Sequence, residues 1–391
     1  MKSTFYGLTL LLGLLVNQNL LAEAGAPSKQ ATAELTTNKF FRHIMFRESP
    51  YASYRGIHAV EEKLPKDLAH YQFQYDQQGR VIDIAYQIND RLIRDNQVWD
   101  SFIWFAPRVS IRYESNKEIH QYYDLSNNQV AVHGQVYQAE YALNKQGERV
   151  SLKFYDQSGA PVESEWNIHR YEWRHANGKV YEKRFNLDNE QQPLRPVLEF
   201  YEVELEYNQK GQLAFMRNLG LTGEPTNNSS GAGIDRIVYD HNGNFVRWQV
   251  YDKDGKPVEG NRPMVHIGEH LYDEFGNKVG MRGFDRYGKR IPFSWGAFEH
   301  VSVFDKHGNQ SEHLIYQADG RLDRRLSIEY TEQLTEVEWL RSLTEAGDLI
   351  ASPMLGGAAT MKLVYHDDGT VERQLFNADG TPYVPQQAKS N

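Results

Sequence analysis

The 391-residue sequence predicts an all-β fold of tandem β-hairpins. Three observations predict it. Turn signals ending in glycine recur at Gly147, Gly178, Gly211, Gly243, Gly276 and Gly308, in steps of 31, 33, 32, 33 and 32. Between turns the apolar residues alternate, as in Val246, Trp248 and Val250, which is the period of a half-buried strand. An aromatic residue sits four positions before many of these glycines, as at Tyr207, Tyr239, Tyr272 and Phe304. Alternating runs bracketed by Asp and Gly turns read as hairpins.

The N-terminus is set apart from this pattern. Lys2 precedes an apolar run, Phe5 to Val16, and Ala22-Glu23-Ala24 follows it. That order reads as a signal peptide over residues 1–24. The run is shorter than the ~20 residues of a spanning helix. Export to a periplasm or beyond is the expectation, with no transmembrane segment after cleavage. The chain has no Cys, which removes disulfides, thiol chemistry and Cys-ligated zinc together.

Residues 25–70 read as a leader and an N-terminal cap. Phe40, Phe41, Ile44 and Met45 fall at helical spacing behind Asn38, a suitable cap residue. Ile57 to His70 offers a second short helix. Repeat arrays need atypical end pieces to cover their exposed core.

The array is expected over 71–385, before a C-terminal tail at 386–391. Gly79 and Gly369 extend the glycine series, and the two wide gaps each hold a degenerate unit, Tyr113–Gln129 and Tyr330–Leu349. The total is about ten units with a period near 32. A second turn follows 11 or 12 residues after the first, at Gly159, Gly223, Gly255, Gly288, Gly320 and Gly380. Stacked hairpins would form an elongated or curled antiparallel sheet. The aromatics would then be cross-strand ladder residues, each pair worth roughly 0.2–1 kcal/mol. Two stretches depart from the rule. Residues 220–233 form a Gly, Ser and Asn loop. Within 331–360, Leu334, Val337, Trp339, Leu340 and Leu343 suit a short amphipathic helix, ahead of a small-residue loop at 351–360.

At Tyr239-Asp240-His-Asn-Gly243-Asn244 and Tyr272-Asp273-Glu-Phe-Gly276-Asn277 the chain resembles the YD repeats of RHS-type bacterial surface and toxin-shell proteins. Through Tyr251-Asp252-Lys-Asp-Gly255-Lys256-Pro257 it is also similar to MORN-like hairpin repeats. The resemblance covers about 70–385. It implies a β-hairpin array used for encapsulation, binding or envelope structure. It carries no catalytic residues, and this chain lacks the autoproteolysis segment and toxin tip of the RHS type.

Catalytic patterns are few. His266-Ile-Gly-Glu269-His270 spells the inverted zinc-protease motif, which needs a helix to bring both His to one ion. Gly268 and the following hairpin favour a strand, on which the two would lie about 13 Å apart. Asp252-Lys-Asp254-Gly255 begins like a calcium loop, but position twelve is Pro263 rather than an acid. No nucleophile elbow or phosphate loop is present. No metal, cofactor or catalytic residue is therefore assigned.

The net charge of −9, with Lys and Arg scattered, argues against nucleic acid, whose binding rests on clustered cations. Ligand contacts are expected where the repeat breaks: Trp99, Trp104, Phe105, Trp295 and Trp339. The expected function is an exported, non-enzymatic binding or scaffolding module of the bacterial cell envelope, with an envelope protein or a glycan as partner. A polysaccharide- or peptidoglycan-acting enzyme using carboxylates in a groove, and an immunity-like partner protein, remain open alternatives.

Overall fold

The computed structural model describes residues 36–44, 54–60, 66–94, 106–196, 198–366 and 370–384. The expected signal peptide at 1–24, the leader up to residue 35, the tail at 386–391 and the aromatics Trp99, Trp104 and Phe105 lie outside them. Among the described residues no helix is long and apolar enough to cross a membrane.

The fold is all-β, as expected. An N-terminal hairpin, β1 (Thr37–Ile44) and β2 (Gly56–Val60), leads into ten further hairpins. These are β3 (His70–Tyr75) with β4 (Val81–Ile88), β6 (Arg108–Glu114) with β7 (Lys117–Tyr123), and β8 (Gln138–Leu143) with β9 (Arg149–Tyr155). Then follow β10 (Arg170–Ala176) with β11 (Lys179–Phe185), β12 (Glu202–Tyr207) with β13 (Leu213–Leu219), and β14 (Ile234–Tyr239) with β15 (Phe245–Tyr251). The last four are β16 (Ile267–Tyr272) with β17 (Lys278–Phe284), β19 (Glu299–Phe304) with β20 (Gln310–Tyr316), β21 (Leu322–Tyr330) with β22 (Val337–Leu343), and β23 (Thr360–Tyr365) with β24 (Val371–Phe376). Two-residue strands β5 (Arg91–Leu92) and β18 (Arg290–Ile291) extend β4 and β17.

All 24 strands belong to one antiparallel sheet. Partners in the ten later hairpins share six or seven residue pairs, as in β14–β15 and β10–β11, and β1–β2 shares four. Most junctions between hairpins share only three, as in β13–β14, β15–β16 and β22–β23.

The turns explain the repeat. The Asp240 carboxylate accepts from the N–H groups of Asn242 and Asn244, and its second oxygen accepts from the Asn244 amide at 2.8 Å. Gly243 sits at φ 92°, where a side chain would be strained. Asp273, Phe275 and Asn277 repeat the arrangement. The conspicuous Tyr-Asp-x-x-Gly-Asn pattern is thus a self-capping turn. The preceding aromatic does a second job. The hydroxyls of Tyr113, Tyr272, Tyr330 and Tyr365 donate to the carbonyls of Val81, Phe245, Gln310 and Val337 in the preceding unit, at 2.8–3.1 Å. On the opposite rim, side chains of one unit accept from turn N–H groups of the next. Glu163 takes Leu187, Glu199 takes Ser229, Asn227 takes Lys253 and Glu259 takes Arg286.

Three expected helices are corrected. The stretch Asn38 to Ile44 is strand, not a helical cap: Phe40 pairs with Val60, and Phe41 with Tyr71. Phe41 packs edge-on against Phe73 at 5.1 Å, and this long-range pairing overrides local spacing. The other proposed cap helix is β2 and the start of β3 wherever it is described. The amphipathic stretch around Leu334–Leu343 is the β21–β22 turn and strand β22, paired with both neighbours. The only described helical turn in this region is 3-10, Pro353–Leu355, capped by the Ser352 hydroxyl.

The N-terminal hairpin reaches across four successive turn tips. Arg55 donates to the Lys210 carbonyl at 2.8 Å, His58 bonds Asn244, and Arg42 donates to Asn277 at 3.0 Å. Just past the hairpin, the Ala69 N–H donates to the His307 carbonyl at 2.7 Å. One large core runs from Ile44 to Phe245, and a smaller one gathers Leu326, Ile328, Leu340, Leu355, Met361 and Leu363.

Candidate functional site

The two expected contact residues that are described, Trp295 and Trp339, do not converge. Trp295 lies in the 292–298 connection, stacked on Phe293 at 4.6 Å, with its indole N–H donating to His300. Trp339 lies on β22 between Arg341 and Lys362, whose charges sit 4.9 and 5.0 Å from its ring. Both are half-buried, Trp295 in a connection and Trp339 in the ladder of a different unit. The 220–233 loop is structural as well. Asn228 donates to Asn261, which in turn donates to Asp235.

The catalytic patterns also resolve into packing. His266 and His270 are buried, and each turns its Nδ1 to a backbone carbonyl, of Val250 and Phe245 respectively. Asp252 spends its carboxylate on the N–H groups of Asp254 and Lys256. Among the described residues no three His, Asp or Glu side chains come together as metal ligands.

Three-pair junctions leave adjacent hairpins splayed toward the rim that carries the Tyr-Asp turns. Between β13 and β14 the ladder stops at Phe215 and Arg236, and beyond it the strands part. The wedge forms a groove of about 500 Å³. Asn208, Gln209 and Gln212 supply amides, Lys210 and Arg236 supply cations, and Phe215 and Tyr239 supply rings. Arg217 and Arg236 lie 4.6 and 5.9 Å from the Phe215 ring centre. Asp240 also lines the groove, but its carboxylate is held by its own turn. Such a lining can hydrogen-bond and stack on a polar ligand while favouring negative charge. Sequence reasoning missed this groove because every lining residue occupies an ordinary repeat position. The groove depends on where the ladder between two strands ends, which leaves no mark in the sequence.

The buried face carries a second polar set. Glu118 accepts from the Arg149 guanidinium at 2.6 Å and pairs with His120, all nearly inaccessible. Burial opposes the Glu118 charge, but Arg149 and His120 hold the carboxyl well below the usual range. Glu182 likewise pairs with Arg184 at 2.7 Å and accepts from the Trp173 indole at 2.8 Å. Asp235 differs: burial pushes its carboxyl up to about 7, against the pull of Arg195 and Asn261.

No family model matches this chain, and no curated protein matches it. Similar solved structures include the Photorhabdus luminescens Tc holotoxin pore, at 10% identity and TM-score 0.24, covering 82% of this chain and 19% of that one. TcdB2–TccC3 matches at 9% identity and TM-score 0.21, covering 87% and 22%. A porin-like protein from Bacteroides uniformis matches at 10% identity and TM-score 0.18, covering 78% and 86%. The chain spans about a fifth of the length of the two toxin chains.

Proposed function

We propose that this protein is a non-enzymatic repeat module that binds an acidic glycan of the bacterial cell envelope in the β13–β14 groove. One observation carries the reading: the groove combines amides, an aromatic face and two cations where the ladder between hairpins opens. The same turns and ladders that build the array absorb its conspicuous Tyr, Asp and His residues. Binding therefore falls to the splayed junction. Export through the N-terminal signal would place the module where such glycans occur.

A glycan array probed with the mature chain tests the reading, with Phe215→Ala and Arg236→Ala as companions. Selective binding to uronic or sialic acid-type glycans, weakened at least tenfold in both variants and by added salt, is the expected result. Silence across the array, or binding indifferent to both substitutions, would sink it. Export is checked separately by the N-terminal residue of the protein recovered from cells, expected near residue 25.

A further inference from the structure

The indole N–H of Trp295 donates to His300 Nε2 at 2.8 Å. An indole can only donate, so this nitrogen must carry a lone pair. The His300 hydrogen then sits on Nδ1, which faces His313 Nε2 at 3.2 Å. That nitrogen must accept in turn. The three side chains form a one-way chain, Trp295 to His300 to His313, which exists only while both imidazoles are neutral. A proton added to either Nε2 sets a donor against a donor.

The chain links three elements: the 292–298 connection, β19 and β20. His300, Ile315 and Arg324 lie opposite one another across β19, β20 and β21 and so share a face. Ser302, His313 and Leu326 form the neighbouring row. From β17, Lys278 acts on His300 electrostatically. The charged neighbours, Lys278 and Arg324, are both cations. Burial holds both rings down to about 4, and for His300 the neighbouring His313 and Lys278 add to it.

We propose that acid breaks the Trp295–His300–His313 chain and swings Trp295 off the sheet, making the 292–298 connection a pH-sensitive flap. The flap stays tethered, because Ser294 donates through its N–H to Pro263 and through its hydroxyl to Arg262. Release uncovers the face of Phe293, which is buried beneath Trp295 and stacked on Trp248. Acid thereby presents an aromatic platform that is closed at neutral pH.

Hydrogen exchange of the whole chain, read by peptide between about pH 7 and pH 4 and corrected for intrinsic rates, tests this. Protection over 295–300 and 310–316 is expected to fall at least tenfold, while 144–155 and 179–185 hold. His300→Gln with His313→Gln retains the donor–acceptor order without a titratable ring, so its acid response should vanish. Unchanged wild-type protection at pH 4, or an equal loss in the double variant, would overturn the proposal. Histidine NMR on the unaltered protein gives an independent check should the variant fold poorly. The His300 ring must be the Nδ1–H tautomer at pH 7, and an Nε2–H tautomer refutes the chain.

Discussion

The Tyr365 hydroxyl donates to the Val337 carbonyl at 2.8 Å, joining two hairpins 28 residues apart in sequence. Tyr365 holds the position that recurs through the array, four before the turn glycine. Tyr365→Phe keeps the ring and deletes the bond, leaving the carbonyl half-served. The expected cost is about 0.5–1.5 kcal/mol in urea unfolding. Burial pushes the phenol up to about 12, so ultraviolet titration of the variant should show one fewer late-ionising tyrosine than the wild type.

Glu118 and Arg149 test the buried charges. Glu118→Ala strands the Arg149 guanidinium, which is 2% exposed, and should cost about 3–5 kcal/mol. Glu118→Leu combined with Arg149→Met removes both charges and should recover most of that loss. A double variant no more stable than the single would show that the pair is not what holds this region.

Asp235 makes stability depend on pH in an unusual direction. Its folded carboxyl titrates at about 7, well above the ordinary value of 3.8. The stabilisation from keeping it neutral is complete below about pH 4 and is lost as pH rises through 7. The loss amounts to up to about 4 kcal/mol. Asp235→Asn preserves the acceptor for Asn261 and should stabilise the protein at pH 8 but not at pH 4. Denaturant midpoints at the two pH values decide it.

Gly268 lies opposite Trp248, and a Cβ there would overlap the indole. Gly268→Ala should cost roughly 1–3 kcal/mol through overpacking. Trp248→Leu in the same chain should relieve most of the added strain, giving a strongly non-additive cycle in thermal unfolding.

Much of the fold was legible because its signals are local. Asp240 and Gly243 mark their turn within four residues, and Val246, Trp248 and Val250 mark their strand by alternation. The helical expectation fails because Phe40, Phe41 and Ile44 fit helical spacing, while on the strand Phe40 and Ile44 share one face and Phe41 takes the other. Only pairing with Tyr71 and Val60 decides between them. Trp339 was sought in an insertion, yet it is a ladder residue, because its unit has a longer turn that hides the glycine rhythm. Glu118 and His120 carry no local mark of burial in the sequence. Their burial depends on Arg149, 31 residues away in sequence, which no local pattern announces. The groove beside Phe215 arises where a ladder ends, and ladder length is set by neighbouring units.

The N-terminal hairpin has a consequence for the order of assembly. Each later hairpin can zip from its own turn as soon as it is made, since its contacts are local. Arg55, His58 and Arg42 must instead wait for partners at Lys210, Asn244 and Asn277, which are translated long after them. The N-terminal hairpin thus pairs with β3 locally but completes its side-chain contacts only after those tips exist. Its docking closes a loop of 155 to 235 residues and works as a length gauge. Inserting or deleting one unit between it and those tips would shift them by about two strand spacings, near 10 Å, out of reach of Arg55, His58 and Arg42 while the pairing with β3 stays.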